Sequence, residues 1–253
     1  MQTELVGPGV RDGEPMLEVG KKERTQACRR IRCLKITLVV IVILFLLFVI
    51  CLFVGSEFEM KAVRKADDTV SFYNTTQVCA IASDGDFQAF ENQDAAHAEG
   101  CKIAHCGACG ECSNVQDITI YDETKNTLTT TTTDCAMRSF FGSGMVTDCM
   151  NEKVGFTEGC TAVWVENVMC DLKKCIFTCL KMKLGLSGAN GNNDRAGELN
   201  ACLECDEKRC GPAFIEGAGA NRRRSGIVSD IGRDDESEVC DIVDDGWIGW
   251  GER

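Results

Sequence analysis

The chain has 253 residues, with 39 acidic against 27 basic side chains and a formal net charge of −12 at neutral pH. That balance excludes a nucleic-acid partner, which needs a basic surface to replace counterions; it suits cationic partners, calcium, or simple solubility. Eighteen cysteines against two histidines make sulfur the chemistry to explain.

Residues 1–33 are polar and mixed in charge, with Gly7-Pro8-Gly9 and Glu14-Pro15, and read as a flexible cytoplasmic tail. Leu34–Val54, LKITLVVIVILFLLFVICLFV, carries no charge beyond Lys35. Helical residues rise about 1.5 Å each, so the stretch reaches roughly 30 Å, the thickness of a bilayer hydrocarbon core. It is predicted as a transmembrane helix, since a buried core helix rarely lacks a polar face over so many turns. Lys21, Lys22, Arg24, Arg29, Arg30, Arg32 and Lys35 crowd its N-terminal side, whereas the other side opens on Gly55-Ser56-Glu57-Phe58-Glu59. The positive-inside bias therefore predicts a signal-anchored, single-pass chain, N-terminus in the cytosol and C-terminus outside it. A cleaved signal peptide competes, but the apolar run and the region before it are both too long. Cys28 and Cys33, beside the membrane among basic residues, are palmitoylation candidates.

The 199 residues after Val54 hold 34 acidic and 19 basic side chains. They also hold Cys79, Cys101, Cys106, Cys109, Cys112, Cys135, Cys149, Cys160, Cys170, Cys175, Cys179, Cys202, Cys205, Cys210 and Cys240. In an oxidising compartment these are disulfide candidates whose connectivity cannot be deduced. Their number is odd, which leaves one thiol for a free state or for a disulfide-linked dimer.

Residues 55–100 read as a membrane-proximal segment. Asn74-Thr75-Thr76 is an N-glycosylation sequon within reach of a lumenal transferase. Asp84-Gly85-Asp86 resembles a calcium loop, but later liganding positions fall on Ala89 and Ala95, and the site fails. Residues 101–216 read as a cysteine-rich helical ectodomain. Ser113-x-x-Gln116 resembles a capping box opening a helix; β-branched Ile118-Thr119-Ile120 and the run Thr129–Thr133, also a candidate for O-glycans, disfavour one, but the stretch is read as helical. A short helix through Met145, Cys149 and Met150 ends at Gly155. Cys160, Trp164, Val168, Leu172, Cys175, Ile176, Cys179 and Leu180 then line one helical face, opposite Glu166, Asp171, Lys173, Lys174 and Lys181, and Gly185 stops the helix. Asp194 is the expected N-cap of a second helix carrying Leu199, Cys202, Leu203 and Cys205, ended by Cys210-Gly211-Pro212.

Cys170-Asp171-Leu172-Lys173-Lys174-Cys175 and Cys205-Asp206-Glu207-Lys208-Arg209-Cys210 share the form C-D-x-K-basic-C, as a duplicated, disulfide-stapled unit would. Residues 217–253 read as an acidic, largely disordered tail. Arg222-Arg223-Arg224 in it is a candidate processing site, and Trp247 and Trp250 are expected to fold back on the core.

Cys106-Gly107-Ala108-Cys109-Gly110-Glu111-Cys112 is the sharpest local motif. It holds two CGxC forms suggestive of thiol–disulfide exchange, but no apolar strand or cis-proline accompanies them. Cys106-x2-Cys109 with Cys202-x2-Cys205 would suit zinc, and Cys101-x4-Cys106-x2-Cys109 an iron–sulfur centre, yet both require reduced thiolates. His105 beside Cys106 is a poor base, because adjacent residues seldom face one another. Plain disulfides to distant cysteines, with Gly107 and Gly110 easing the turns, are preferred.

The expected fold is therefore mainly α: a small disulfide-rich ectodomain on an N-terminal transmembrane helix. The expected function is a binding or structural surface or envelope component with a protein partner, no cofactor and no metal. A membrane-tethered thiol oxidoreductase is the alternative, or a cysteine-ligated metal domain were the topology reversed.

Overall fold

The computed structural model describes residues 16–66, 75–187, 191–194, 198–231 and 239–242. Asn74, Trp247 and Trp250 lie outside them, as does the side chain of Cys28. The described fold is mostly helical, with a long apolar N-terminal helix and seven disulfides. It divides into two units, Met1–Cys51 and Leu52–Arg253.

In the first unit, helix α1 (Met16–Val63) exposes its side chains from Leu34 to Cys51, with only Val49 half-buried. A window inside Arg32–Val63 has a mean hydropathy of 3.6, long and apolar enough to cross a membrane. The helix continues into the second unit, where its character changes. Leu52, Ser56, Glu59 and Val63 are buried at spacings of four, three and four, the stripe of an amphipathic helix.

The second unit opens on a three-stranded antiparallel sheet, β1 (Val78–Ile81), β2 (Phe87–Phe90) and β3 (Lys102–Cys106), in the order β2-β1-β3. The membrane-proximal reading of residues 55–100 missed β1 and β2, and β3 runs directly into Cys106, where no apolar strand was expected. The strands are four or five residues long, and central β1 buries Val78, Cys79 and Ala80 in succession, so no alternation marks it. Asp84-Gly85 forms the β1–β2 hairpin turn, with Gly85 at φ 94° and the Ala82 amide donating to Asp86 O at 2.9 Å. Helix α2 (Gln93–Ala98) crosses to β3.

Helices α3 (Val115–Glu123), α4 (Leu128–Ala136), α5 (Ser143–Lys153) and α6 (Glu158–Lys174) follow, burying Ile118, Tyr121, Leu128, Val146, Met150 and Val168 in the main core. Asn114, not Ser113, caps α3, its side chain accepting from the Asp117 amide at 2.9 Å. The buried Asp117 carboxylate then accepts from the Thr157 amide at 2.7 Å and its hydroxyl at 2.6 Å, tying the start of α3 to the start of α6.

The helix expected to run on to Gly185 breaks at Cys175 into α6 and α7 (Ile176–Lys183). No side chain of its own caps α7. Glu59 of α1 does so instead, accepting from the Phe177 amide at 3.1 Å and the Thr178 amide at 2.8 Å, two of the donors that any helix start leaves unmatched. The next helix, α8 (Ala201–Arg209), is capped by Asn200 rather than Asp194; Asp194 lies in the turn before it, accepting from the Glu198 amide. Cys210-Gly211-Pro212 ends α8 as expected and also opens a further helix, α9 (Gly211–Ala218), with proline in the first turn where it has no intrahelical bond to lose.

The disordered-tail reading fails for 217–231 and 239–242. Ala218, Ala220, Ser225 and Ile227 are buried, and Cys240 is bonded to Cys106. Hydropathy missed this because mostly small residues and a disulfide hold the segment down, with Ile227 and Ile242 as isolated large apolar contacts. The tribasic run is engaged as well. Arg222 pairs with Asp230 at 3.1 Å and donates to Lys125 O, Arg223 pairs with Glu207 at 3.5 Å, and Arg224 donates to Gly219 O.

Candidate functional site

The CGACGEC segment contains no free thiol. Cys106 is bonded to Cys240, Cys109 to Cys79 and Cys112 to Cys160. Gly107 turns the chain at φ 87°. Gly110 answers a different need: a Cβ there would lie 2.6 Å from Gly217 O, because Glu111 and Cys112 donate to Gly217 O and Ala218 O. His105, fully buried, has Nδ1 2.9 Å from Cys106 O and Nε2 2.8 Å from Ser113 Oγ. A carbonyl only accepts, so Nδ1 carries the proton and Ser113 donates to Nε2. Burial lowers the imidazole pKa to about 4. Ser113 also accepts from the Gly110 amide at 2.8 Å, so the serine–histidine pair pins the loop. Cys101, the unbridged member of the disulfide candidates, is a buried thiol near Glu99 O. Cys135 is joined to Cys149.

The two C-D-x-K-basic-C segments meet crosswise. Cys170 is bonded to Cys210 and Cys175 to Cys205, each with Cα atoms 5.9 Å apart, and Cys179–Cys202 adds a third rung. The fifth residues of the two segments exchange bonds: Lys174 Nζ donates to Arg209 O at 2.8 Å, and Arg209 Nη1 donates to Lys174 O at 2.8 Å. The second residues, Asp171 and Asp206, hydrogen-bond one another. Asp171 was expected on the solvated face, but its Oδ1 is buried. Burial raises both carboxyl pKa values, that of Asp171 further because Asp206 adds its charge. Asn167 Nδ2 donates to Asp206 Oδ1 at 2.9 Å and favours its ionised form, so the pair holds one proton, on Asp171, at neutral pH. A carboxyl oxygen of Asp171 lies within 4.8 Å of the sulfurs of Cys175 and Cys210. Those sulfurs are in disulfides and offer no thiolate to a metal. Cys202 and Cys205 are likewise bonded elsewhere and do not join Cys106 and Cys109 in a four-cysteine site.

Beside the acid pair lies a cavity of about 230 Å³. Its wall is mainly apolar, with Phe140, Leu172, Ile176, Leu180, Leu203 and Phe214 prominent. Trp164 forms part of it, held by an Nε1–H bond to Tyr121 Oη at 2.9 Å and an edge contact with Phe214 at 4.7 Å. Three buried polar atoms on the same wall have no protein partner: Thr132 Oγ1, Asn167 Oδ1 and Asp171 Oδ1. Sequence reasoning missed Asn167 altogether and met Thr132 only as a member of the run Thr129–Thr133. The repeated aspartate was the one available signal for the acid pair.

Cys33 and Cys51 are exposed and unbridged in α1. Residues 143–242 match a family described as "Family of unknown function (DUF8771)", a span that takes in α5 to α9, the three rungs and Cys240. No curated protein and no solved structure matches the chain.

Proposed function

We propose that the chain is a single-pass membrane protein, with residues 1–33 in the cytosol, Leu34–Val54 across the bilayer, and a disulfide-stapled ectodomain that binds a partner or ligand at a surface, organelle or envelope. A contrast of surfaces carries this reading. Apolar side chains from Leu34, 72% exposed, to Ile50, 58% exposed, cover the helix, whereas all seven disulfides lie beyond it. Such a helix is satisfied in lipid, its backbone bonds being internal, and disulfides in that number persist in oxidising compartments. The basic residues before the helix support the orientation. Binding is favoured over thiol exchange because Cys106, Cys109 and Cys112 are all held in bridges to distant residues. The unpaired Cys101 is buried, which argues against a dimer linked through it.

The test is glycan occupancy at Asn74 in a eukaryotic secretory system. Wild-type chain should lose apparent mass on glycosidase treatment, and Asn74→Gln should already run at the lower mass. Identical, glycosidase-insensitive mobility of the two would count against the orientation. Labelling of thioester-linked acyl groups, lost in Cys28→Ser/Cys33→Ser, tests palmitoylation on the cytosolic side.

A further inference from the structure

We propose that the cavity beside Asp171 and Asp206 is a binding site for a neutral, apolar small molecule bearing a hydroxyl head. The proposal names a ligand class for the binding role above, and it does not depend on the membrane topology.

Size comes first. A dry cavity of about 150 Å³ accepts a benzene ring. At about 230 Å³, this one takes a molecule of roughly ten non-hydrogen atoms, or the end of a longer one. The wall comes second. Around Leu172, Ile176, Leu180 and Leu203 a water molecule finds no partner, and an apolar body displaces it at a gain. The head comes third. Asn167 and Asp171 are four residues apart on α6 and so share its face. The Asn167 amide is oriented by its bond to Asp206, which leaves its carbonyl oxygen, like Asp171 Oδ1, a buried acceptor without a protein partner. Thr132, unlike Thr133, which donates to Thr129 O at 2.7 Å, makes no backbone bond through its hydroxyl. Buried acceptors call for a donor.

Charge selects among donors. An ammonium group would have to give up its hydration to a mainly apolar wall whose arginines are already paired with Asp230 and Glu207, while the Asp206 carboxylate repels an anion. A hydroxyl meets the acceptors without importing a charge.

The test uses the full chain in lipid nanodiscs and equilibrium dialysis of 2-naphthol, naphthalene and 2-naphthoate, with empty nanodiscs as background. The expected result is saturable binding of one 2-naphthol per chain above background, at least about tenfold tighter than naphthalene or 2-naphthoate. Leu203→Trp, which fills the cavity, should abolish it. Thr132→Val keeps the side-chain shape, and it and Asn167→Leu should each narrow the preference over naphthalene. Absence of a saturable excess, equal binding of naphthalene, or an undiminished preference in both head variants would overturn the proposal. None of these outcomes bears on glycan occupancy at Asn74, so the two readings fail separately.

Discussion

Asp171 and Asp206 occupy the same place in two crossed C-D-x-K-basic-C segments and share a hydrogen bond beside the Cys170–Cys210 and Cys175–Cys205 bridges. Lys174 and Arg209 add reciprocal bonds to each other's carbonyls, giving the region a local pseudo-two-fold symmetry. Such an acid pair is less stabilising than its bonds suggest, because each carboxyl would be better solvated in the unfolded chain.

The first prediction follows from linkage. The folded pKa of Asp171 lies above its unfolded value of 3.8, so the fold binds the proton more tightly than the unfolded chain does. Stability from this group is present at low pH and declines as pH rises above about 4. Lys174 partly offsets this at Asp171, and Glu207 adds to it at Asp206. Asp171→Asn keeps a donor toward Asp206 without a titrating proton. It should raise the stability at pH 7 by roughly 1–3 kcal/mol and flatten the fall above pH 4, as read by thermal unfolding across pH.

His105 has the opposite sign. Its folded pKa of about 4 lies below the ordinary imidazole value of 6.5, so stability is full above 6.5 and drains away as pH falls toward 4, by about 3 kcal/mol in all. NMR should find the His105 ring resonances unmoved between pH 8 and pH 5. Titration near pH 6.5 would refute the buried, neutral imidazole.

Glu59 should prove a stability residue despite its place at the end of the apolar helix. Glu59→Ala leaves the Phe177 and Thr178 amides without their acceptor. A loss of about 1–3 kcal/mol is expected, visible as a lower unfolding midpoint in detergent. Glu59→Gln, which still accepts, should recover part of it.

The Cys106–Cys240 bridge, 134 residues apart in sequence, should govern access to Arg222–Arg224. Limited trypsin digestion of the native chain should spare this run, whose guanidinium groups are engaged. Cys106→Ser/Cys240→Ser should lose about 2–5 kcal/mol and be cut there at least about tenfold faster, since opening a segment that much more easily exposes it to the protease.

Cys101 should resist alkylation in the folded chain and react once the chain is unfolded without reductant, because its thiol is buried and unbridged. Peptide mapping of the labelled site distinguishes it from Cys33 and Cys51 in α1. Rapid labelling under native conditions would contradict its burial.

Local rules made part of this protein legible. The long helix through Leu34–Val54 follows from the uninterrupted apolar run Leu38–Val54. The end of α5 follows from Gly155, at φ 82°, and the abundance of cysteine foretold a stapled domain. Strands β1 to β3 escaped because they are short and two of them run through alanine and cysteine, and the tail escaped because Ala218, Ala220 and Cys240 carry little hydropathy. Cap assignments went astray wherever several polar residues stood together: Ser113 beside Asn114, Asp194 before Asn200. What no local pattern could determine was partnership. Fifteen cysteines beyond the helix permit very many pairings, and only the antiparallel approach of α6 and α7 to α8 selects the three rungs. That same approach turns Asp171, patterned for the surface, inward against Asp206 and forms part of the cavity wall, because a carboxyl's neighbours across a helix interface are set by packing and not by spacing along the chain.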